Sequence, residues 1–171
     1  NPFFAIGVVL LTGAAIGYAV GCLITFGRMH NFIVTLAVLL IIRGFMLAFS
    51  EGAPVNGFNN PSADVFYWLG HQKAFFIPGV GNITVAVVAT GLLFLVVHFI
   101  LQNHKFGREL YAIGGNRKAA EQLGINANRR IRQVYMISGL LAALAGWMLA
   151  GRVVSIQSNL GEGFIFTVFA G

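Results

Sequence analysis

Four long apolar runs divide the chain. Positions 3–26, 32–49, 83–101 and 134–151 are almost free of charge, and polar breaks separate them at 27–31, 50–82 and 102–133. Crossing a hydrocarbon core takes about 20 helical residues at about 1.5 Å rise each. Every run comes close to that length or exceeds it. The third is rich in β-branched residues, which in lipid is compatible with helix because the backbone has no hydrogen-bond partner other than its own turns. The pattern predicts an all-α polytopic membrane protein of about four spans, with the start of a further segment at 164–171.

The breaks orient the spans. Seven of the eleven Lys and Arg residues (Lys105, Arg108, Arg117, Lys118, Arg129, Arg130, Arg132) fall between Gln102 and Gln133, against only Glu109 and Glu121. The break at 50–82 carries Glu51, Asp64 and Lys73. Positive charge beside a span marks the cytoplasmic side, so 102–133 and the Arg28/His30 turn lie inside and 50–82 outside. Alternation of four spans gives the same topology. The 28–31 turn is short enough to make the first two spans antiparallel neighbours. In the outer loop, Val65–Leu69 is expected to form a short interfacial helix, with Tyr67 and Trp68 at headgroup level.

Composition narrows the class further. Of 171 residues 57% are hydrophobic and 9% charged, with mean hydropathy +0.80, whereas soluble domains carry roughly 25% charged residues. A soluble globular protein is excluded. The basic pI of about 10.1 follows from charge beside spans and needs no nucleic acid. The first run lacks the basic leader of a signal peptide and is longer than its apolar core. Cys22 reads as a small packing residue. A chain opening on Asn1-Pro2 and stopping at Gly171 within an apolar stretch reads as a fragment, 1–171 being one transmembrane domain.

Small residues recur every fourth position on two spans: Gly13, Gly17 and Gly21 on the first, and Ser138, Ala142 and Gly146 on the fourth. Such stripes let helix backbones approach closely in lipid. Arg43 is the one formal charge well inside a span. It is a candidate for the translocation pathway because burial of charge there is costly, and snorkelling to the outer interface is the alternative. Thr35 is a second pathway candidate, with a hydrogen bond to its own helix as the plainer role. His98 reads as an interfacial side chain. No Ser-His-Asp set, paired carboxylates or His/Cys cluster can be assembled, so neither catalysis nor a metal site is expected.

Chemistry concentrates in the inner loop. Asn116 is a suitable helix N-cap, Arg117–Leu123 contains good helix formers, and Gly124 is a C-terminal stop. Two turns of helix are marginal alone. Ala119, Ala120 and Leu123 supply an apolar side against Arg117, Lys118, Glu121 and Gln122, and Gly114-Gly115 permits a sharp turn just before. The loop could rest on anionic lipid, where each Lys or Arg adds about 1 kcal/mol, or dock a protein. The residue pattern leaves both open.

The run FGRELYAIGGNRKAAEQLGIN at 106–126, followed by a span containing SGLLAALAG, resembles the membrane subunit of ribose-type bacterial ABC importers. The family's pattern is FGR-x-LYAIGGN-xx-AA-xx-GI ahead of a Gly/Ala-rich span. Phe32–Leu36 and Arg43-Gly44 resemble its FI-x-TL and RG positions, and Gly161–Gly163 its G-x-G segment. Asn31 departs from a usual Pro, and Ile165 and Thr167 from a usual Glu and Asp. Members are about twice as long, with about ten spans.

The resemblance implies a multi-pass permease of the bacterial inner membrane that translocates a monosaccharide. It implies that Asn116–Gly124 (Asn116, Arg117, Lys118, Ala119, Ala120, Glu121, Gln122, Leu123, Gly124) is the coupling helix, seated in a cytoplasmic ATP-binding subunit. It further implies an extracytoplasmic sugar-binding protein and a second permease copy. No G-x-x-x-x-G-K-[ST] loop occurs, so ATP and Mg belong to the partner and this chain is expected to carry no cofactor. Alternatives are a membrane scaffold recruiting a cytoplasmic partner, a channel, or a permease for another solute such as an autoinducer, nucleoside or branched-chain amino acid.

Overall fold

The computed structural model describes residues 2–27, 29–51, 53, 73–77 and 81–152. In chain order they form α1 (Pro2–Gly27), α2 (Asn31–Ser50), β1 (Lys73–Ile77), β2 (Gly81–Thr84), α3 (Val85–Asn103), α4 (Lys105–Gly115), α5 (Arg117–Gln122) and α6 (Ala127–Arg152). Phe4–Gly27, Asn31–Ser50, Val85–Asn103 and Ala127–Gly151 are long and apolar enough to cross a membrane. The membrane domain is all-α and polytopic. A small antiparallel hairpin, pairing Lys73 with Thr84 and Ile77 with Gly81, precedes the third span, which therefore begins at Val85 rather than at 83. The segments Val65–Leu69 and 164–171, with Tyr67, Trp68, Ile165 and Thr167, lie outside the described residues.

The organising contact is α1 against α6. A Cβ built on Gly13 would collide with Ala143 Cβ and stand 2.7 Å from Gly139 O, and one on Gly17 would collide with Tyr135 O and lie 3.1 Å from Gly139 Cα. One on Gly21 would stand 2.9 Å from Arg132 Cα. Rising numbers on α1 meet falling numbers on α6, so the two helices are antiparallel. This agrees with opposite crossing directions for the first and fourth spans. Lipid tails are as apolar as Leu, so helix association there rests on close van der Waals packing rather than on a hydrophobic drive. Glycine permits that closeness.

On α6 the face packed against α1 is not the one that carries the Ser138, Ala142 and Gly146 stripe. Arg132, Tyr135, Gly139 and Ala143 meet α1, while Ser138, Ala142 and Gly146 are exposed and a Cβ on Gly146 would touch nothing within 4 Å. Two small-residue registers are interleaved in SGLLAALAG, offset by one residue or about 100° of helix. The longer one is not the one α1 uses. Buried Val20, Ile24 and Val34, packed with Val38, Ile131 and Tyr135, join α2 to the pair near the end that carries the inner loop.

The segment 102–133 is almost entirely helical. α6 begins at Ala127, seven residues before the apolar run. Asn126 caps it, its Oδ1 accepting from Arg129 N at 3.1 Å. Charge in these first turns disguises a helix that continues straight into the membrane. α4 folds back at His104, where Arg108 donates to Asn103 O at 3.2 Å. A side chain at Gly107 would enter the Leu101 backbone, 2.6 Å from its Cα.

Candidate functional site

Helices α4 and α5 form a bracket on the end of the spans where the basic residues gather. α4 turns Phe106 and Leu110 toward α3 and α6, with Val97, Leu101, Val134 and Ile137 around an apolar groove of about 260 Å³. Its polar side is tied to α6. Arg130 Nε donates to Glu109 Oε2, Arg130 NH1 donates to Gln133 Oε1 at 2.9 Å, and the guanidinium lies 5.5 Å from the Phe106 ring centroid. The hydrogen bond and charge of Arg130, with the charge of Lys105, hold the Glu109 carboxyl below its ordinary value of 4.5, against a smaller upward push from desolvation.

The turn between α4 and α5 is made at Asn116, not at the glycines before it. Gly114 and Gly115 complete the last turn of α4, and Asn116 leaves helical space at φ −154°, ψ 102°. Its Oδ1 accepts from Ala119 N at 3.1 Å, satisfying one of the free donors at a helix start. The other end closes as a Schellman turn. Gly124 takes φ +80°, Gly124 N donates to Glu121 O at 3.0 Å and Ile125 N to Ala120 O at 3.1 Å. Both caps expected from the sequence are formed, on a helix of six residues.

A helix this short persists only if held from outside. Ala120 is buried at 2% exposure and forms its inner side. Arg117 pins the flank, bonding Glu121 Oε1 at 3.0 Å and, from NH2, Asn128 Oδ1 at 2.7 Å at the start of α6. Ala119 and Leu123, expected to share the apolar docking side with Ala120, point away from the protein, and Leu123 is 80% exposed. Lys118 and Gln122 are exposed beside them. The bracket thus presents a knob, capped at both ends, with a bare leucine and two flanking polar side chains. Tyr111 on α4 is exposed too.

The pathway candidates stand elsewhere. Thr35 Oγ1 donates to the carbonyls of Asn31 and Phe32, both at 3.0 Å, so its hydroxyl serves its own helix. Arg43 is half-buried on α2, seven residues or about 10 Å from that helix's end. Among the described residues no group of three His, Cys, Asp or Glu is arranged to hold a metal ion. Glu109, Asn126, Asn128 and Arg130 were not foreseen as functional. Asn126 is legible as an N-cap, but the Glu109–Arg130 pair spans 21 positions and leaves no local signal.

Comparison with known proteins follows the same lines. A family described as branched-chain amino acid transport system / permease component matches residues 1–171. The ribose import permease RbsC of Escherichia coli K12 is 36% identical over 164 residues, 96% of this chain and 49% of that protein. RbsC of Bacillus subtilis 168 is 38% identical, covering 84% of this chain and 42% of its own. The D-allose transport system permease AlsC of E. coli K12 is 34% identical, at 96% and 48%. The chain spans about half the length of these relatives. No solved structure matches. With residues 1–171 matched, the chain belongs to the branched-chain amino acid transport system permease-component family, and the proteins it is similar to include permeases named for ribose and D-allose.

Proposed function

We propose that the chain is part of the permease subunit of an ATP-driven importer that passes a monosaccharide across a bacterial inner membrane. The observation that carries this reading is the similarity along nearly the whole chain to permeases named for ribose and D-allose, together with others named for galactose and fructose. Four spanning helices supply part of a pathway. The α4–α5 bracket supplies the lever: α5 seats Leu123 and Ala119 in a cytoplasmic ATP-binding subunit, which holds ATP and Mg. Closure of that subunit moves α5, and the Arg117–Asn128 and Arg130–Glu109 ties carry the motion into α6 and, through its glycine seam, into α1. An extracytoplasmic sugar-binding protein delivers the solute, and a second permease copy completes the pathway. Arg43 sits on or beside that pathway, and Thr35 has a local structural role.

Uptake of a panel of labelled sugars by the complete complex tests the substrate class. Competition by one or more aldoses or ketoses is expected. Transport of branched-chain amino acids in place of every sugar would overturn it.

A further inference from the structure

The inner loop contains two carboxylates, and both are taken. Glu109 is paired with Arg130 and Glu121 with Arg117. Arg129 and Arg132 have no carboxylate partner among the described residues. They lie three apart on α6 and so share a face, where they line a groove of about 320 Å³ with Gln133, Met136 and Tyr18 of α1. The groove lies at the membrane boundary, for Arg132 stands at the level of Gly21 near the inner end of α1. Met136 lies four residues, about 6 Å, further into the span.

Every polar side chain at this groove can donate. Arg132 is held with its guanidinium 5.3 Å from the Phe26 ring centroid and its Nε on Asn128 O at 3.3 Å, which leaves its terminal nitrogens to donate. Gln133 has its Oε1 occupied by Arg130, so its amide NH2 is the end left over. Tyr18 brings a phenolic hydroxyl and Arg129 a second guanidinium fork. Two guanidinium forks, an amide and a hydroxyl with no carboxylate among them match the oxygens of a phosphate. The donors stand at the polar end and Met136 with the Tyr18 ring deeper in. A ligand fitting both has a charged phosphate joined to an apolar body.

We propose that the groove between α1 and the start of α6 is a binding site for a phosphate group, presented there by an anionic phospholipid of the inner leaflet. The lipid would fix the inner ends of α1 and α6 beside the loop that α5 belongs to. Each Arg near an anionic surface contributes a factor of about five, so removing both weakens retention about 25-fold.

The test uses the full-length permease in its complex, purified from membranes and examined by native mass spectrometry with phosphatidylglycerol and phosphatidylcholine supplied in equal amounts. Wild type is expected to retain phosphatidylglycerol in preference to phosphatidylcholine, a result that needs no variant. R129Q/R132Q is expected to lose that preference, R129K/R132K to keep most of it, and K105Q/R108Q, which removes two exposed cations of α4 outside the groove, to leave it unchanged. Equal retention of both lipids by wild type, or undiminished phosphatidylglycerol on R129Q/R132Q, overturns the site. Displacement of the lipid by an equal concentration of inorganic phosphate overturns the lipid source in favour of a free anion. Loss of the ATP-binding subunit from R129Q/R132Q with lipid retention intact shows that the arginines contact that subunit, and also overturns the proposal.

Discussion

Replacing Gly139 by Ala probes the seam on which the bundle is organised. The added methyl would collide with Gly13 O and stand 2.9 Å from Gly17 Cα and 3.0 Å from Gly17 N. Carbon atoms rest at about 3.5–4.0 Å, so α1 and α6 must part by about 0.5–1 Å. A gap of that size forfeits about a quarter to a half of each contact along the seam. The neighbours are backbone, which cannot rotate aside, and overpacking costs about 1–3 kcal/mol. Gly146→Ala is the internal control, since its methyl meets nothing within 4 Å. Both changes gain the same helix propensity of about 1 kcal/mol, so that contribution cancels in the difference. Gly139→Ala should therefore be less stable than Gly146→Ala by about 1–3 kcal/mol. Equilibrium unfolding of the full-length protein in mild detergent measures this. Adding Gly17→Ala to Gly139→Ala should cost less than the sum of the two alone, because one separation accommodates both methyls. Equal stability of the two single variants would refute the seam.

Further expectations concern the bracket and the pathway. Asn116→Ala removes the cap on Ala119 N and should destabilise α5 by about 1 kcal/mol, seen as faster amide exchange at 117–123 with the spans unchanged. Glu109 titrates below its ordinary value of 4.5, so its tie to Arg130 is fully present above that value and is lost as pH falls through the lowered one. Amide exchange across 105–133 should be insensitive to the pair from neutral pH down to about 4.5 and accelerate below it. Glu109→Gln should show raised exchange already at neutral pH and no such acid step. Arg43→Gln should reduce sugar uptake at unchanged membrane level, and unaltered uptake kinetics would remove Arg43 from the pathway.

Much of the fold was legible because lipid imposes a simple rule. A long apolar run must be a helix, and the four runs are four spans. The caps of α5 were legible for the same kind of reason: Asn116 and Gly124 each have one local task that few other residues perform. What escaped detection depended on direction or distance. Helix α4 and the first turns of α6 carry Arg and Lys, and hydropathy reads a charged helix as a loop. Gly114-Gly115 suggested a turn, yet glycine only permits a bend, and the break falls at Asn116. Which of the two small-residue registers in SGLLAALAG meets α1 was not legible, because only the partner helix chooses between them. Ala119 and Leu123 were grouped with Ala120 on one apolar side, but packing against the rest of the bracket takes Ala120 alone and turns the other two outward. The Glu109–Arg130 tie closes across 21 positions and is visible only once α4 folds back.

The proposed lever requires the outward face of α5 to seat the ATP-binding subunit. Leu123→Asp tests it in the full-length permease, coexpressed with that subunit and tagged for copurification at matched membrane levels. Leu123 is 80% exposed, so the substitution leaves the permease's own packing intact. Loss of the copurifying ATP-binding subunit with normal insertion of the spans is the predicted result. An undiminished yield of that subunit would show that it docks elsewhere than on α5.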